Sequence, residues 1–172
     1  MVLALGACAH TMPDEPAPKQ RRRGGGESGR VKLAILPVES DAFPRLAAGL
    51  NAMLHDVQLK GVDDYFLSKV TLDVVQLSIE CNDKSNSCFT QVGRSMDAQR
   101  VLLALIAPQG AARRKKRPVK VSVMLFNVDD GQPQHQSSKE YDSEEDASSG
   151  LPSLMQEAIG EFTVSRKTAG AK

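Results

Sequence analysis

Two short and almost continuous apolar runs constrain the fold of this chain more than any other feature. The first covers residues 31–38 and contains Pro37, and the second covers residues 101–107 and is followed by Pro108. Runs of this length are shorter than a typical helix, and they suit strands that are covered on both faces. The sequence therefore predicts two central strands that lie side by side, the first of which ends at Pro37.

The first of three amphipathic helices follows the first apolar run. Its apolar residues recur at helical spacing after Asp41, which we predict as the N-cap. Gly61 is the predicted C-terminal stop, because glycine adopts the left-handed conformation that often follows a helix. The inner face of this helix consists of Leu46, Leu50, Met53, Leu54 and Val57.

Two further segments have the same helical periodicity. One is a short helix with a predicted cap at Asn86 or Ser87. The other is the last element of the fold, with a cap at Ser148 or Ser149 and with Pro152 in its first turn. Their inner faces consist of Phe89, Val92 and Met96 in the short helix, and of Leu151, Leu154, Met155, Ala158, Ile159 and Phe162 in the last helix.

Three more strands are predicted from alternating or β-branched patterns. Residues 70–79 are rich in β-branched side chains, but the alternation changes phase halfway, which predicts a strand of about five residues and then a bend. Residues 119–125 alternate between apolar and more polar side chains. The turn signal Asp130–Gly131 then predicts a hairpin with a last strand near 136–141, at the edge of a sheet.

The predicted order of elements is strand, helix, strand, helix, strand, strand, strand, helix. This order predicts one α/β or α+β domain, a mixed sheet of about five strands with three helices packed on it. The length of 172 residues fits a single domain with tails. We predict that the domain covers residues 31–166 and that residues 167–172 are a disordered tail.

The first eight residues end in Leu5-Gly6-Ala7-Cys8, which resembles the bacterial lipobox. In that motif a peptidase cuts before the cysteine, and the sulfur atom carries a lipid. We predict that residues 1–8 are a truncated lipoprotein signal and that Cys8 is lipidated, since the basic segment and the 7–15 apolar residues of a full signal do not fit before it. The alternative is a frayed apolar terminus with an accidental cysteine.

Residues 9–30 have the composition of a tether. Three prolines precede a run of three arginines and several glycines, and large apolar side chains are almost absent. Such a segment cannot bury enough surface to offset the entropy of ordering it. We predict a disordered linker that holds the domain some tens of ångströms from an anchor.

A family resemblance adds to this interpretation. Two cysteines, Cys81 and Cys88, precede a short helix, the small-residue stretch 96–98 and the apolar strand 101–105. In this pattern the chain resembles the amino-terminal domain of TolB, and also the curli-export and penicillin-binding-protein-activator lipoproteins. It departs from them in Gln99-Arg100 and in its basic hairpin loop, and it has no β-propeller.

The resemblance implies an accessory or scaffold role at the periplasmic face of the outer membrane. It provides no catalytic residues to carry over, so we expect a non-enzymatic protein. The partner implied is another protein of the envelope.

Cys81 and Cys88 are predicted to form a disulfide, because an exported protein meets an oxidising compartment. The alternative is a pair of reduced thiols in a cytosolic protein. The spacing matches no common zinc pattern, so no metal site is predicted. Lipidation would account for Cys8, the third cysteine of the chain.

Five consecutive cations lie in the loop between two predicted strands, at Arg113, Arg114, Lys115, Lys116 and Arg117. We predict that they contact an anionic partner, namely an acidic protein, an anionic lipid or lipopolysaccharide. The alternative is a solvated hairpin tip, nearly balanced by the acidic residues 142–146. We do not expect nucleic acid as a partner, because no aromatic side chain is interleaved with the cations and the net charge is +1.

No catalytic site and no cofactor are predicted. The glycine-rich segment 24–29 lacks the lysine, the hydroxyl group and the following helix of a phosphate-binding loop. His10, His55 and His135 are scattered over different elements, and Asp129–Asp130 suits a turn. The leading hypothesis is a lipid-anchored interaction module that faces the periplasm. The competing hypothesis is a cytosolic nucleic-acid or regulatory binding domain that acts through the basic clusters.

Overall fold

The computed structural model describes residues 30–81, 83–110 and 117–159. Within these ranges the chain forms five strands and four helices. In order they are β1 (Lys32–Ile35), α1 (Pro44–His55), β2 (Asp64–Leu67), α2 (Leu72–Ser78), α3 (Asn86–Ser95), β3 (Arg100–Pro108), β4 (Val119–Asn127), β5 (Gln132–Tyr141) and α4 (Glu144–Ile159).

The strands form one mixed sheet in the order β2-β1-β3-β4-β5. β1 is parallel to both of its neighbours, whereas β3, β4 and β5 form an antiparallel meander. The predictions of a mixed five-stranded α/β sheet, of adjacent strands at the two apolar runs and of an edge hairpin are confirmed. The number of helices is four, where the sequence predicted three.

Two hydrophobic cores lie on opposite faces of the sheet. On one face, Leu33 and Ile35 of β1 pack with the buried sides of α1 and α4. On the other face, Leu36 and Leu103 pack with α2 and α3. The central strands β1 and β3 are therefore buried on both sides, which is why their sequences are continuously apolar.

The prediction of a strand within residues 70–79 is wrong. These residues contain the helix α2, in which Leu72 and Val75 are buried at helical spacing while Val74 and Leu77 face solvent. The change of phase in the alternation is thus the signature of a helix with one buried side. The missing strand is β2, a segment of four residues that precedes α2.

The predicted boundaries of α1 are also wrong. The N-cap is Phe43, which provides no side-chain hydrogen bond, and Asp41 lies outside the helix. The backbone N–H of Leu46 instead donates to the Glu144 carboxylate at 3.1 Å, and Glu144 is 98 positions away in the sequence. The helix ends at His55, and Gly61 has a φ of +78° in the connection to β2.

The caps of the last two helices lie before the predicted positions. α3 is capped by Ser85, and neither Asn86 nor Ser87 takes this role. α4 begins at Glu144, where the Ser143 hydroxyl oxygen accepts from the Asp146 N–H at 3.1 Å. Pro152 consequently lies inside α4 and not in its first turn. Ser148 and Ser149 are helical residues, and their hydroxyl groups donate to carbonyls one turn earlier.

Residues 1–29 and 160–172 lie outside the described ranges, and so do the predicted signal, all of the predicted tether except Arg30, the predicted inner-face residue Phe162 and the predicted tail. The domain boundaries at residues 31 and 166 stay predictions. In the part of the chain that the structure describes, no helix has the length and apolar character needed to cross a membrane.

Candidate interaction surfaces

A disulfide joins Cys81, just after α2, to Cys88 in the first turn of α3. The two Cα atoms lie 5.6 Å apart, and both residues are buried. The bridge therefore fastens together the two helices that cover one face of the sheet.

The backbone on each side of the bridge sets the positions of the two cysteines. Glu80 has a φ of +56°, and the Cys81 N–H donates to the Gln76 carbonyl at 2.9 Å. This is the hydrogen bond of a Schellman helix end. On the other side, the Cys88 N–H donates to the Ser85 hydroxyl oxygen at 3.2 Å. Each sulfur atom is thus held at a helix end.

The loop inside the bridge brings together three potential metal ligands. The donor atoms of Cys81, Asp83 and Cys88 lie within 4.8 Å of one another. Metal binding by cysteine requires the thiolate, and the disulfide uses both sulfur atoms. The amide nitrogen of Gln76, which is buried, donates to the Asp83 carbonyl at 2.8 Å. In its oxidised form the loop is therefore a structural element and does not offer thiolate ligands.

The described end of the basic segment lies beside α1. Arg117 is exposed, and its guanidinium carbon is 5.4 Å from the ring centroid of Phe43, the residue that precedes α1. Cations favour such a position over an aromatic face. Arg113, Arg114, Lys115 and Lys116 lie outside the described residues. Their contact with an anionic partner stays a prediction.

The acidic residues near this end take part in contacts within the domain. The Asp146 carboxylate accepts from the Ser143 hydroxyl at 2.8 Å, in addition to the contact of Glu144 with α1. Glu140 pairs with Lys120 at 4.0 Å. Helix ends and a cross-strand pair thus account for the contacts of Glu140, Glu144 and Asp146.

The other residues considered from the sequence lie apart. His55 ends α1 and His135 lies in β5, while Cys8 and His10 precede the described residues. Asp129 and Asp130 form the predicted turn, in which both backbone N–H groups are directed at the Asn127 side-chain oxygen, at 3.1 and 3.4 Å.

The domain also has a set of exposed apolar side chains that the sequence did not predict. Five large apolar residues of the described chain are more than a third exposed, and all of them belong to residues 66–77. They are Phe66 (41%), Leu67 (40%), Val70 (43%), Val74 (50%) and Leu77 (69%). We call these five residues the β2–α2 patch. Three of them, Phe66, Leu67 and Val70, line one groove, and exposed apolar clusters of this kind mark interaction sites.

A groove of about 550 Å³ lies between β2 and the helices α2 and α3, and it is lined mainly by apolar atoms. Phe66 forms one wall, and Val75 and Met96 form part of the other. The Lys32 ammonium group lies 5.4 Å from the Phe66 ring centroid and donates to the Met96 carbonyl at 3.2 Å. The groove is thus apolar with a cation at its rim.

The one sequence signal for this patch is the segment Tyr65-Phe66-Leu67 between polar neighbours. It is too short to predict a strand by periodicity. Its exposure depends on where β2 lies in the sheet, which is a property of the whole fold.

No protein-family model matches this chain, and a comparison with curated proteins finds no match. Several solved structures are similar in fold. One is the PelC dodecamer from Paraburkholderia phytofirmans, with 13% identity and a TM-score of 0.43 over 80% of this chain and 95% of that one. TolB from Acinetobacter baumannii is 14% identical, with a TM-score of 0.40 over 76% of this chain and 28% of TolB. A lipoprotein from Neisseria meningitidis is 12% identical, with a TM-score of 0.36 over 64% of this chain and 81% of that one.

The chain is similar in fold to TolB and to a small lipoprotein, as the sequence predicted, at low identity.

Proposed function

We propose that this protein is an envelope lipoprotein, anchored through a lipid on Cys8, whose domain is a non-enzymatic interaction module. Residues 9–30 are the tether in this proposal, and the domain faces the periplasm at the outer membrane. The partner is an envelope protein with an acidic surface, which the basic segment Arg113–Arg117 contacts.

The observation that carries the proposal is the position of the basic segment relative to the start of the domain. Leu33, near the start of β1, is in register with Arg100 at the start of β3. β3 then runs to Pro108, which pairs with Val119, two residues after Arg117. At about 3.3 Å per residue, these two ends of the sheet are roughly 26 Å apart.

This arrangement supports an acidic protein over the anchoring leaflet as the partner. In a domain tethered at the Leu33 end, Arg117, the described end of the basic segment, lies at the far end of the sheet. The attraction between cations and anionic lipid falls off within about one Debye length, roughly 8 Å at physiological salt. A partner that lies beyond the tethered domain meets the cations directly.

The disulfide supports an exported location. Disulfides persist in oxidising compartments such as the periplasm and are rare in the cytosol. The competing function, a cytosolic nucleic-acid or regulatory domain, requires reduced cysteines at Cys81 and Cys88. No observation on the described residues favours it.

The first experiment tests the anchor. The protein is expressed with its upstream genomic sequence, and the native form is compared with Cys8→Ala by membrane fractionation and intact-mass analysis. The expected result is a membrane-bound native protein that is heavier by its lipid and two hydrogens lighter for the disulfide, together with a soluble mutant. If both forms are soluble, unmodified and reduced, the anchor and the location are wrong.

A second experiment tests the basic segment. Lys115→Glu with Lys116→Glu is compared with Arg21→Glu and Arg22→Glu, which change the same amount of charge in the tether. Chemical crosslinking in cells should yield a protein adduct that the loop variant loses and the tether variant keeps. Equal loss in both variants would mean that general charge, and not the loop, drives the contact.

A further inference from the structure

We propose that the free edge of β2 pairs with the same edge of a second copy of this chain, which makes a symmetric dimer with one continuous sheet. The proposal depends neither on the lipid anchor nor on the basic segment. It rests on the backbone groups of β2, on the exposed side chains of Phe66 and Leu67 in that strand, and on the charges at the two ends of the strand.

Among residues 30–81, 83–110 and 117–159, the backbone of β2 has an open row of hydrogen-bonding groups. β2 is an edge strand whose only strand neighbour in the described sheet is β1. The N–H groups of Asp64 and Ser68 donate to β1, to the carbonyls of Val31 and Ile35. Because these groups alternate along a strand, Tyr65 and Leu67 direct their N–H and C=O groups away from β1. Such an edge is a template for another strand.

One register satisfies these groups in a two-fold dimer. An axis at Phe66 sets Tyr65 of each copy opposite Leu67 of the other, and these are the residues whose backbone groups point outward. Each such pair exchanges two hydrogen bonds, as in any antiparallel ladder. The two Phe66 residues then form a pair without backbone hydrogen bonds, and in such pairs the side chains come closest.

The side chains fit this register. Phe66 lies on the same face as the groove, so the dimer brings the two apolar grooves together on one side of the sheet. Leu67 meets Tyr65 of the second copy on the other side. A two-fold contact uses the same surface of both copies, so the exposed apolar side chains of β2 are covered in each.

The charges favour antiparallel pairing. Asp63 precedes β2 and Lys69 follows it, and Lys69 is exposed. The register at Phe66 places the end of β2 that follows Asp63 in each copy beside the end that precedes Lys69 in the other. The Asp63 carboxylate also accepts from the Val31 N–H at 2.8 Å within its own chain. A parallel arrangement would bring like charges together, which is unfavourable. The occupant that fits the edge is therefore a second copy in the opposite direction.

Site-specific disulfide formation tests the register. All variants carry Cys8→Ser, and the bridge between Cys81 and Cys88 stays in place within each chain. Under mild oxidation Phe66→Cys is expected to form a covalent dimer, because two cysteines at the axis face each other. Leu67→Cys, which faces Tyr65, and Leu77→Cys on α2 are expected to stay at least about tenfold less crosslinked. Equal crosslinking at the three positions, or none at Phe66→Cys, would overturn the proposal.

Sedimentation provides a readout that does not depend on oxidation. The Cys8→Ser chain is expected to dimerise in a concentration-dependent manner. Leu67→Lys is expected to weaken the dimer at least about tenfold, since it introduces a charge at the paired edge, while Leu77→Lys leaves the dimer in place. A chain that is monomeric at high concentration, or a dimer weakened equally by both substitutions, would contradict strand pairing at β2.

Discussion

At the scale of single residues, two side chains take a backbone conformation that normally belongs to glycine. Glu80 and Asp97 have φ values of +56° and +53°, and each follows a short helix. Both helices end in the same way, since the Ala98 N–H donates to the Gly93 carbonyl at 3.0 Å just as Cys81 donates to Gln76. The stretch 96–98, which contributed to the family resemblance, is thus a helix end on which the next strand depends.

The left-handed backbone conformation predicts whether each of two substitutions raises or lowers the free energy of unfolding. Glu80→Gly should raise the free energy of unfolding by about 0.5–1 kcal/mol, because a left-handed glutamate is strained and glycine is not. Gly61→Ala should lower it by about 1 kcal/mol, since Gly61 has a φ of +78° although no atom crowds its Cβ position. Urea denaturation of the two variants checks this pair. A loss of stability in Glu80→Gly would mean that the glutamate side chain makes a compensating contact.

The two tyrosines of the chain differ in how their hydroxyl groups are satisfied. The Tyr65 hydroxyl accepts from the Leu59 N–H at 2.7 Å and donates to the Leu59 carbonyl at 3.1 Å. The Tyr141 hydroxyl is buried without a hydrogen-bond partner among the described residues. Its ring packs on Gly150 of α4, where an added Cβ would lie 2.5 Å from Cε1. This close approach explains a glycine in the middle of a helix.

Burial, and then the negative charge of Glu157, raise the pKa of Tyr141 above 10.0. Below pH 10 the phenol is neutral in the folded and unfolded chains, and its contribution is fully present. As the pH rises from 10 through the higher folded pKa, the unfolded chain loses the proton first and stability falls. Tyr141→Phe should remove this part of the alkaline slope.

At neutral pH the same substitution should leave the free energy of unfolding unchanged or raise it by up to about 1 kcal/mol, because an unsatisfied hydroxyl is removed. Tyr65→Phe is the matched control and should lower it by about 1 kcal/mol, since a bonded hydroxyl is lost. Thermal unfolding of both variants between neutral and alkaline pH measures both effects. Equal destabilisation by the two changes would show that Tyr141 has a partner.

At the scale of elements, α2 is the helix that depends most on its connections. It has seven residues, fewer than a helix needs to be stable in isolation. Val74 and Leu77 face solvent, so its buried surface is small. The disulfide bridge to α3 and the hydrogen bond from Gln76 to Asp83 therefore stabilise α2, because its own packing contributes little.

Removal of the disulfide bridge should therefore destabilise α2 more than the other helices. The double substitution Cys81→Ser and Cys88→Ser should cost about 2–3 kcal/mol of unfolding free energy. Amide hydrogen exchange should accelerate in α2 more than in α1, which is buried against α4. Cys8→Ser is the control and should change neither quantity. A uniform increase in exchange over both helices would mean that the bridge stabilises the domain only globally.

The elements that the sequence predicted correctly are those whose pattern is local. β1, β3 and the hairpin of β4 and β5 have runs or alternations that only buried strands need. β2 has no such pattern, because Asp64–Leu67 becomes a strand by pairing with β1. Residues 70–79 were wrongly predicted as a strand, because β-branched side chains also occur in a half-buried helix such as α2. The exposed edge of β2 could not be predicted for the same reason, since an edge exists only in the assembled sheet.

At the scale of the whole molecule, the start of β1 and the described end of the basic segment lie at opposite ends of the sheet. The chain reaches β1 beside the start of β3, and Arg117 lies at the opposite end, close to the beginnings of α1 and α4. One residue joins those two helices, since the Glu144 carboxylate in the first turn of α4 accepts from the Leu46 N–H of α1. A cap that comes from a residue 98 positions away cannot be predicted from the local sequence around the helix.

The hydrogen bond between Glu144 and α1 predicts the effect of a substitution on the free energy of unfolding. Glu144→Ala should lower the free energy of unfolding by about 1 kcal/mol, the usual cost of losing a helix N-cap. Glu145→Ala is the matched control, because Glu145 is an exposed acid in the same first turn. Both changes remove the same charge near the α4 N-terminus, so that electrostatic contribution cancels in the comparison. Denaturation of the two variants in parallel isolates the contact with α1, and equal losses would assign the effect of Glu144 to α4 alone.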